Sequence, residues 1–200
     1  MLLPEQVATP VAADLRALHA VVTSALGVDP AELNLEGACV VGERLRWFQR
    51  GRPAAGHPSA SVDLDLAALL RHVTHPDGVG AARPPDPRDL RRYDLGEVHG
   101  VGLAVTDAVA LPDGRVLVSA AAEDAPTAYD DGPVVGSALA LLDGDRTLAV
   151  AALPSLAGAP PKVEGLALVE WDGDGGLVLG CVDVDDPLRP SALLRLRVTR

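Results

Sequence analysis

The sequence predicts an all-β chain: a partial β-propeller of about three four-stranded antiparallel blades behind one N-terminal α-helix. Three observations predict it. A strand pattern opened by a carboxylate occurs three times, at Glu36, Asp107 and Glu164, at spacings of 71 and 57 residues. Self-similarity over such periods marks a repeat architecture. Turn signals separate short apolar runs at Gly42-Glu43, Asp113-Gly114, Asp143-Gly144 and Asp172-Gly173-Asp174-Gly175-Gly176, and Asp-Gly between apolar runs is a strong hairpin signal. The middle repeat holds four such runs in succession, the strand count of a propeller blade.

From Val11 to Leu26 the residues Leu15, Leu18, Val21, Val22 and Leu26 fall at helical spacing, with Asp14 near the start and Gly27 beyond the end. This predicts one amphipathic helix. The first blade is expected to use Glu36–Val41, Leu45–Gln49, Ser59–Leu64 and Arg92–Gly96, with Leu66-Ala67-Ala68-Leu69-Leu70 able to turn helical. His75 to Asp89, rich in Pro, Gly and Asp, reads as a long surface loop. The middle blade is expected at Val105–Leu111, Arg115–Ala121, Ser137–Leu142 and Thr147–Leu153. The third stops after its third strand, near Val198. The resulting division is a helical segment over 1–33 and blades over 34–97, 105–154 and 162–200, half of a six-bladed ring. Three blades leave open sheet edges, so the expectation is a homodimer that closes the ring, a missing N-terminal propeller half, or an open arc.

The 200 residues are 48% hydrophobic with only five aromatics, so Val, Leu and Ala must build the core. Net charge is −11, which excludes a phosphate-backbone partner of the usual basic kind. Neither a signal-peptide pattern nor an eighteen-residue apolar run is present, so no membrane partner and a cytoplasmic location are expected. Cys39 and Cys181 read as buried reduced thiols, with a single disulfide between them as the alternative. The single lysine, Lys162, stands against sixteen arginines, which makes arginine the default cation here and a weak marker of a site.

Glu36, Asp107 and Glu164 are expected at the start of each blade's innermost strand, facing one axis. Carboxylates brought together raise each other's pKa unless something neutralises them. A calcium ion held by these three is one solution; pairing with nearby cations is the other, and Asn34 and Lys162 lie two residues before Glu36 and Glu164. Glu123 and Asp183, at second-strand ends, either point into the same mouth, as candidates to support the metal's ligands or to act as base, or belong to solvated acidic loops in a chain that is acidic throughout. His99 is a candidate general base. Ser59, Ser137 and Ser191 recur at third-strand starts and read as structural. No GxSxG elbow or dinucleotide-binding glycine loop is present.

The run Lys162-Val163-Glu164-Gly165-Leu166-Ala167, its Asp-Gly turn, Asp183-Val184-Asp185-Asp186-Pro187 and Pro190-Ser191-Ala192-Leu193-Leu194 resemble the closing blade of the phytase-like, esterase-like propeller group. Asn34-Leu35-Glu36-Gly37-Ala38 looks like the same element earlier in the ring. The resemblance spans about residues 34–198. It implies a six-bladed propeller with calcium on the axis and a phosphoesterase- or esterase-like hydrolase. The competing expectation is a non-catalytic propeller that binds a ligand or protein.

Overall fold

The computed structural model describes residues 14–74, 83–124, 132–184, 188 and 190–199. The described residues are mostly β, with two α-helices. Regular structure runs α1 (Arg16–Leu26), β1 (Leu35–Val41), β2 (Arg44–Gln49), β3 (Ser59–Asp65), α2 (Leu66–Val73), β4 (Arg88–Tyr93), β5 (Glu97–Val98), β6 (Val101–Ala110), β7 (Val116–Glu123), β8 (Val134–Asp143), β9 (Arg146–Ala152), β10 (Lys162–Trp171), β11 (Gly175–Asp183) and β12 (Ala192–Thr199). The strands form three antiparallel meanders, β1–β4, β5–β9 and β10–β12, in which sequence order is spatial order. The expected Asp-Gly turns close β6 to β7 and β8 to β9. Gly114 (φ 86°) and Gly144 (φ 60°) take the left-handed conformation these tight connections require.

The layers follow the chain. Leu18, Val22 and Leu26 of α1 pack on Ala60, Val62 and Leu64 of β3, and Gly27 ends the helix with its N–H on the Thr23 carbonyl. A second core lies between the first and second sheets and includes Phe48, Tyr93, Val105, Val116, Val118 and Leu142. The Phe48 and Tyr93 rings stack there at 5.8 Å. A third core joins Leu111, Leu117 and Leu139 of the second sheet to Val178, Leu166, Leu168 and Leu196 of the third. Along the inner edges, β6 lies between β1 and β10. The order is thus helix, sheet, sheet, sheet, and among the described residues nothing covers the outward face of the third.

Several expectations need correction. The fourth strand of the first sheet is 88–93 rather than 92–96, because Asp94 turns the chain by accepting the Gly96 N–H at 2.9 Å. The second sheet gains β5, joined to β6 by His99-Gly100, both at positive φ (53° and 78°). Its strands therefore number five. Cys39 and Cys181 are both free, but Cys181 is exposed, since alternation along β11 turns it away from the core. α2 realises the helical option after β3, with Asp65 capping the Ala68 N–H at 2.7 Å. Residues 11–13, most of the expected 75–89 loop, the acidic pair Asp130-Asp131 and residues 185–187 lie outside the described residues. Among the described residues no helix is long and apolar enough to cross a membrane.

Candidate functional site

Each inner strand carries a β-bulge at the recurring pattern. The register shifts between Leu35 and Ala38 in β1, between Val105 and Asp107 in β6, and between Val163 and Gly165 in β10. The extra residue at a bulge leaves the pairing and its side chain is re-aimed. The shift encloses Glu36 and Gly37 in β1, Thr106 in β6 and Glu164 in β10. The middle sheet's counterpart of the two glutamates is therefore Thr106, and Asp107 stands one residue out of step.

Glu36 and Glu164 are brought into one buried ion-pair array. Arg50, just past β2, reaches Glu36 Oε1 with Nη1 at 3.1 Å and Glu123 Oε2 with Nη2 at 2.7 Å. Lys162 Nζ lies 3.3 Å from Glu123 Oε1 and 3.4 Å from Glu164 Oε1. Asn34 Nδ2 donates to Glu36 Oε1 at 2.9 Å. The array alternates acid and base through five side chains and crosses all three sheets. The Arg50 backbone is fixed as well: its N–H donates to the Asn34 carbonyl at 2.9 Å, and its carbonyl accepts the Ser59 hydroxyl. Ser59 in turn accepts the Val105 N–H at 3.0 Å, linking the first two sheets. Thr106 links the second and third by donating to the Val163 carbonyl at 2.5 Å.

Burial dominates the electrostatics. It pushes the Glu36 carboxyl above its usual range, with Arg50 pulling the other way and Glu164 adding to the rise. Glu164 is likewise raised by burial, against the attraction of Lys162 and Arg50. Glu36 Oε2 is buried with no hydrogen-bond partner, which favours a carboxyl that keeps its proton longer.

Asp107 does not join the array. Its Oδ2 accepts the Leu166 N–H at 2.6 Å, so it stitches β6 to β10, and burial raises its pKa. Beside it, Gly37 runs so close that an added Cβ would sit 2.9 Å from the Ala108 nitrogen and the Asp107 carbonyl carbon. Glu123 does enter the array, with its side chain only 5% exposed. Asp183 is exposed at the end of β11, opposite Lys162 in register. His99 is exposed in the β5–β6 turn. Ser59 and Ser137 are buried, whereas Ser191 is exposed just before β12.

The donor set does not fit calcium. That ion takes six to eight oxygens, while here a guanidinium and an ammonium already lie between the carboxylates. Among the described residues no group of three or more His, Cys, Asp or Glu is placed to hold a metal ion.

Sequence reasoning passed over Arg50, discounted as one arginine among sixteen. It also passed over a second buried cluster in the first sheet. There Asp63 accepts Arg46 Nε at 2.9 Å and Arg91 Nη1 at 2.9 Å, beside the Ser61–Tyr93 hydroxyl pair at 2.8 Å. The available signal was that Arg46 and Asp63 are charged residues inside apolar strands and directly opposed across β2 and β3.

No curated protein and no solved structure matches the chain. A sequence family does match it, over residues 2–187, and the chain belongs to that family, the family of unknown function DUF6910.

Proposed function

We propose that the chain is a non-catalytic binding module built as three consecutive propeller blades, and that its central array is a structural key. The observation that carries this reading is the placement of Arg50 and Lys162 between Glu36, Glu123 and Glu164. A metal-dependent hydrolase needs its carboxylates free to hold the ion that activates water; here they neutralise the chain's own cations. The meandering sheets with neighbouring inner strands β1, β6 and β10 support the blade reading. So does the recurrence of a bulge at the same point of each inner strand. We read the blades as an open arc: α1 covers the first sheet's outward face, where a neighbouring blade would stand. A homodimeric six-bladed ring would have to displace that helix.

The test is hydrolysis of p-nitrophenyl acetate and p-nitrophenyl phosphate with and without millimolar calcium, alongside thermal melts. The expected result is no rate above buffer and no calcium-induced shift of the melting midpoint. A calcium-dependent rate that disappears in Glu164→Ala overturns the reading.

A further inference from the structure

The third sheet is short of strands. The first has four and the second five, but the third ends at β12, whose outer edge has no partner strand among the described residues. Such an edge presents a row of unpaired N–H and C=O groups. Side chains along β12 alternate. Leu196 and Val198 turn toward the second sheet, while Leu193, Arg195 and Arg197 are exposed. Beside this edge lies a groove of about 640 Å³, with Leu139, Leu141 and Ala151 of the second sheet and Leu153 just past it on one wall, and β12 on the other, where Arg195 and Arg197 share the lining with Leu196 and Val198.

The arginines distinguish this edge from a bare apolar face. Arg46, Arg50, Arg52, Arg91 and Arg115 are in ion pairs, whereas exposed Arg71, Arg88 and Arg146 have no ion-pair partner among the described residues. Arg195 and Arg197 have no ion-pair partner among the described residues, in a chain whose net charge is −11. They stand two apart on one face of an edge strand, the spacing at which a paired strand presents side chains directly opposite.

We propose that this edge takes up a strand-forming segment of a partner protein whose side chains alternate between apolar and acidic. The segment's backbone pairs with β12, its apolar face fills the groove, and its acidic face meets Arg195 and Arg197. Addition of an extended strand to a free sheet edge is an established mode of peptide recognition. The chain's overall negative charge opposes an acidic partner at long range. Screening confines that repulsion to a Debye length of about 8 Å at physiological salt, so the arginines act at contact. A second copy is disfavoured by the same residues. In the longest two-fold registers of β12 on itself, an arginine of one copy faces an arginine of the other, and directly opposed like charges are destabilising.

The test uses two fluorescein-labelled octapeptides, one alternating valine and glutamate and one alternating valine and lysine, titrated by fluorescence anisotropy. The full chain is expected to bind the glutamate peptide about tenfold more tightly than the lysine peptide. The variant carrying Arg195→Glu and Arg197→Glu is expected to reverse that order. Both sites are exposed, and an unchanged circular dichroism spectrum shows that the variant folds. Equal binding of the two peptides, or none up to about 1 mM, overturns the proposal. So does a light-scattering mass of twice 20.6 kDa that falls to 20.6 kDa in the variant, which gives the edge to a second copy. The proposal rests on the binding role above. A calcium-dependent rate sinks that role, whereas a negative peptide result sinks only this site.

Discussion

Replacing Arg50 by methionine tests the array at its most connected point. The guanidinium contacts two carboxylates, Glu36 at 3.1 Å and Glu123 at 2.7 Å, with side-chain exposures of 13%, 17% and 5% for Arg50, Glu36 and Glu123. Removing one partner of a buried ion pair costs about 3–5 kcal/mol, because the other charge is left without compensation. Lys162 still lies 3.3 Å from Glu123, and Glu36 keeps Asn34, so the low end applies: about 3 kcal/mol. For a chain of this length that is roughly 6–12 °C in melting temperature. The assay is urea unfolding followed by tryptophan fluorescence at pH 7 and pH 5. Burial holds Glu36 and Glu164 above their ordinary value of 4.5 in the folded state. Their protonation therefore favours folding. That contribution is fully present below pH 4.5 and is lost as pH rises through the raised folded value. Losing Arg50 raises both groups further, so the deficit of the variant is largest at pH 7 and shrinks toward pH 5. A loss below about 1 kcal/mol, the level of an exposed pair, or a deficit identical at both pH values would refute the argument. Arg16→Met is the control: its pair with Asp14 is exposed, and the unfolding midpoint is expected to stay where it is.

Three further outcomes are expected. Gly37→Ala places a methyl group against the backbone of Asp107 and Ala108 and should cost about 2–3 kcal/mol of urea stability; unchanged stability would mean that β1 and β6 do not approach so closely. Thr106→Val leaves the Val163 carbonyl without its donor and should cost about 1–3 kcal/mol, while Thr106→Ser should recover most of it; equal losses in the two variants would put the effect on packing. Iodoacetamide at pH 8 should give one adduct by mass spectrometry, at exposed Cys181, because burial pushes the Cys39 thiol up to about 11. A second adduct should appear only in urea, and labelling of Cys39 in the native chain would contradict its burial.

The sheets were legible because hairpins are local. Gly42-Glu43, Asp113-Gly114 and Asp143-Gly144 each bring two apolar runs together, and all three turns sit where the sequence places them. The helix was legible for the same reason, from Leu18, Val22 and Leu26 through to Gly27. The site was legible only in part. Glu36 and Glu164 do meet, but the matching of Asp107 to them is one residue out, and along a strand a slip of one turns a side chain to the other face. Bulges at Thr106 and Glu164 decide that register, and they have no marker in the sequence comparable to Asp-Gly. Arg50 was hidden differently. Its role depends on Glu123, which lies in another sheet, and no periodicity connects the two. The same distance hid the pairing of Lys162 with Glu123, although Lys162 itself stands out as the single lysine.

The array also bears on the order of folding events. Its members come from β1, the end of β2, the end of β7 and β10, so no single hairpin or meander can form it. Each sheet closes through near neighbours, and such contacts carry a small loop-closure cost, whereas bringing Glu36 within reach of Glu164 spans most of the chain. The charges therefore come to rest after the sheets have docked and the solvent between them has gone. Interactions made that late resist unfolding more than they speed folding, so the array acts as a latch on an assembled molecule rather than as a guide to its assembly.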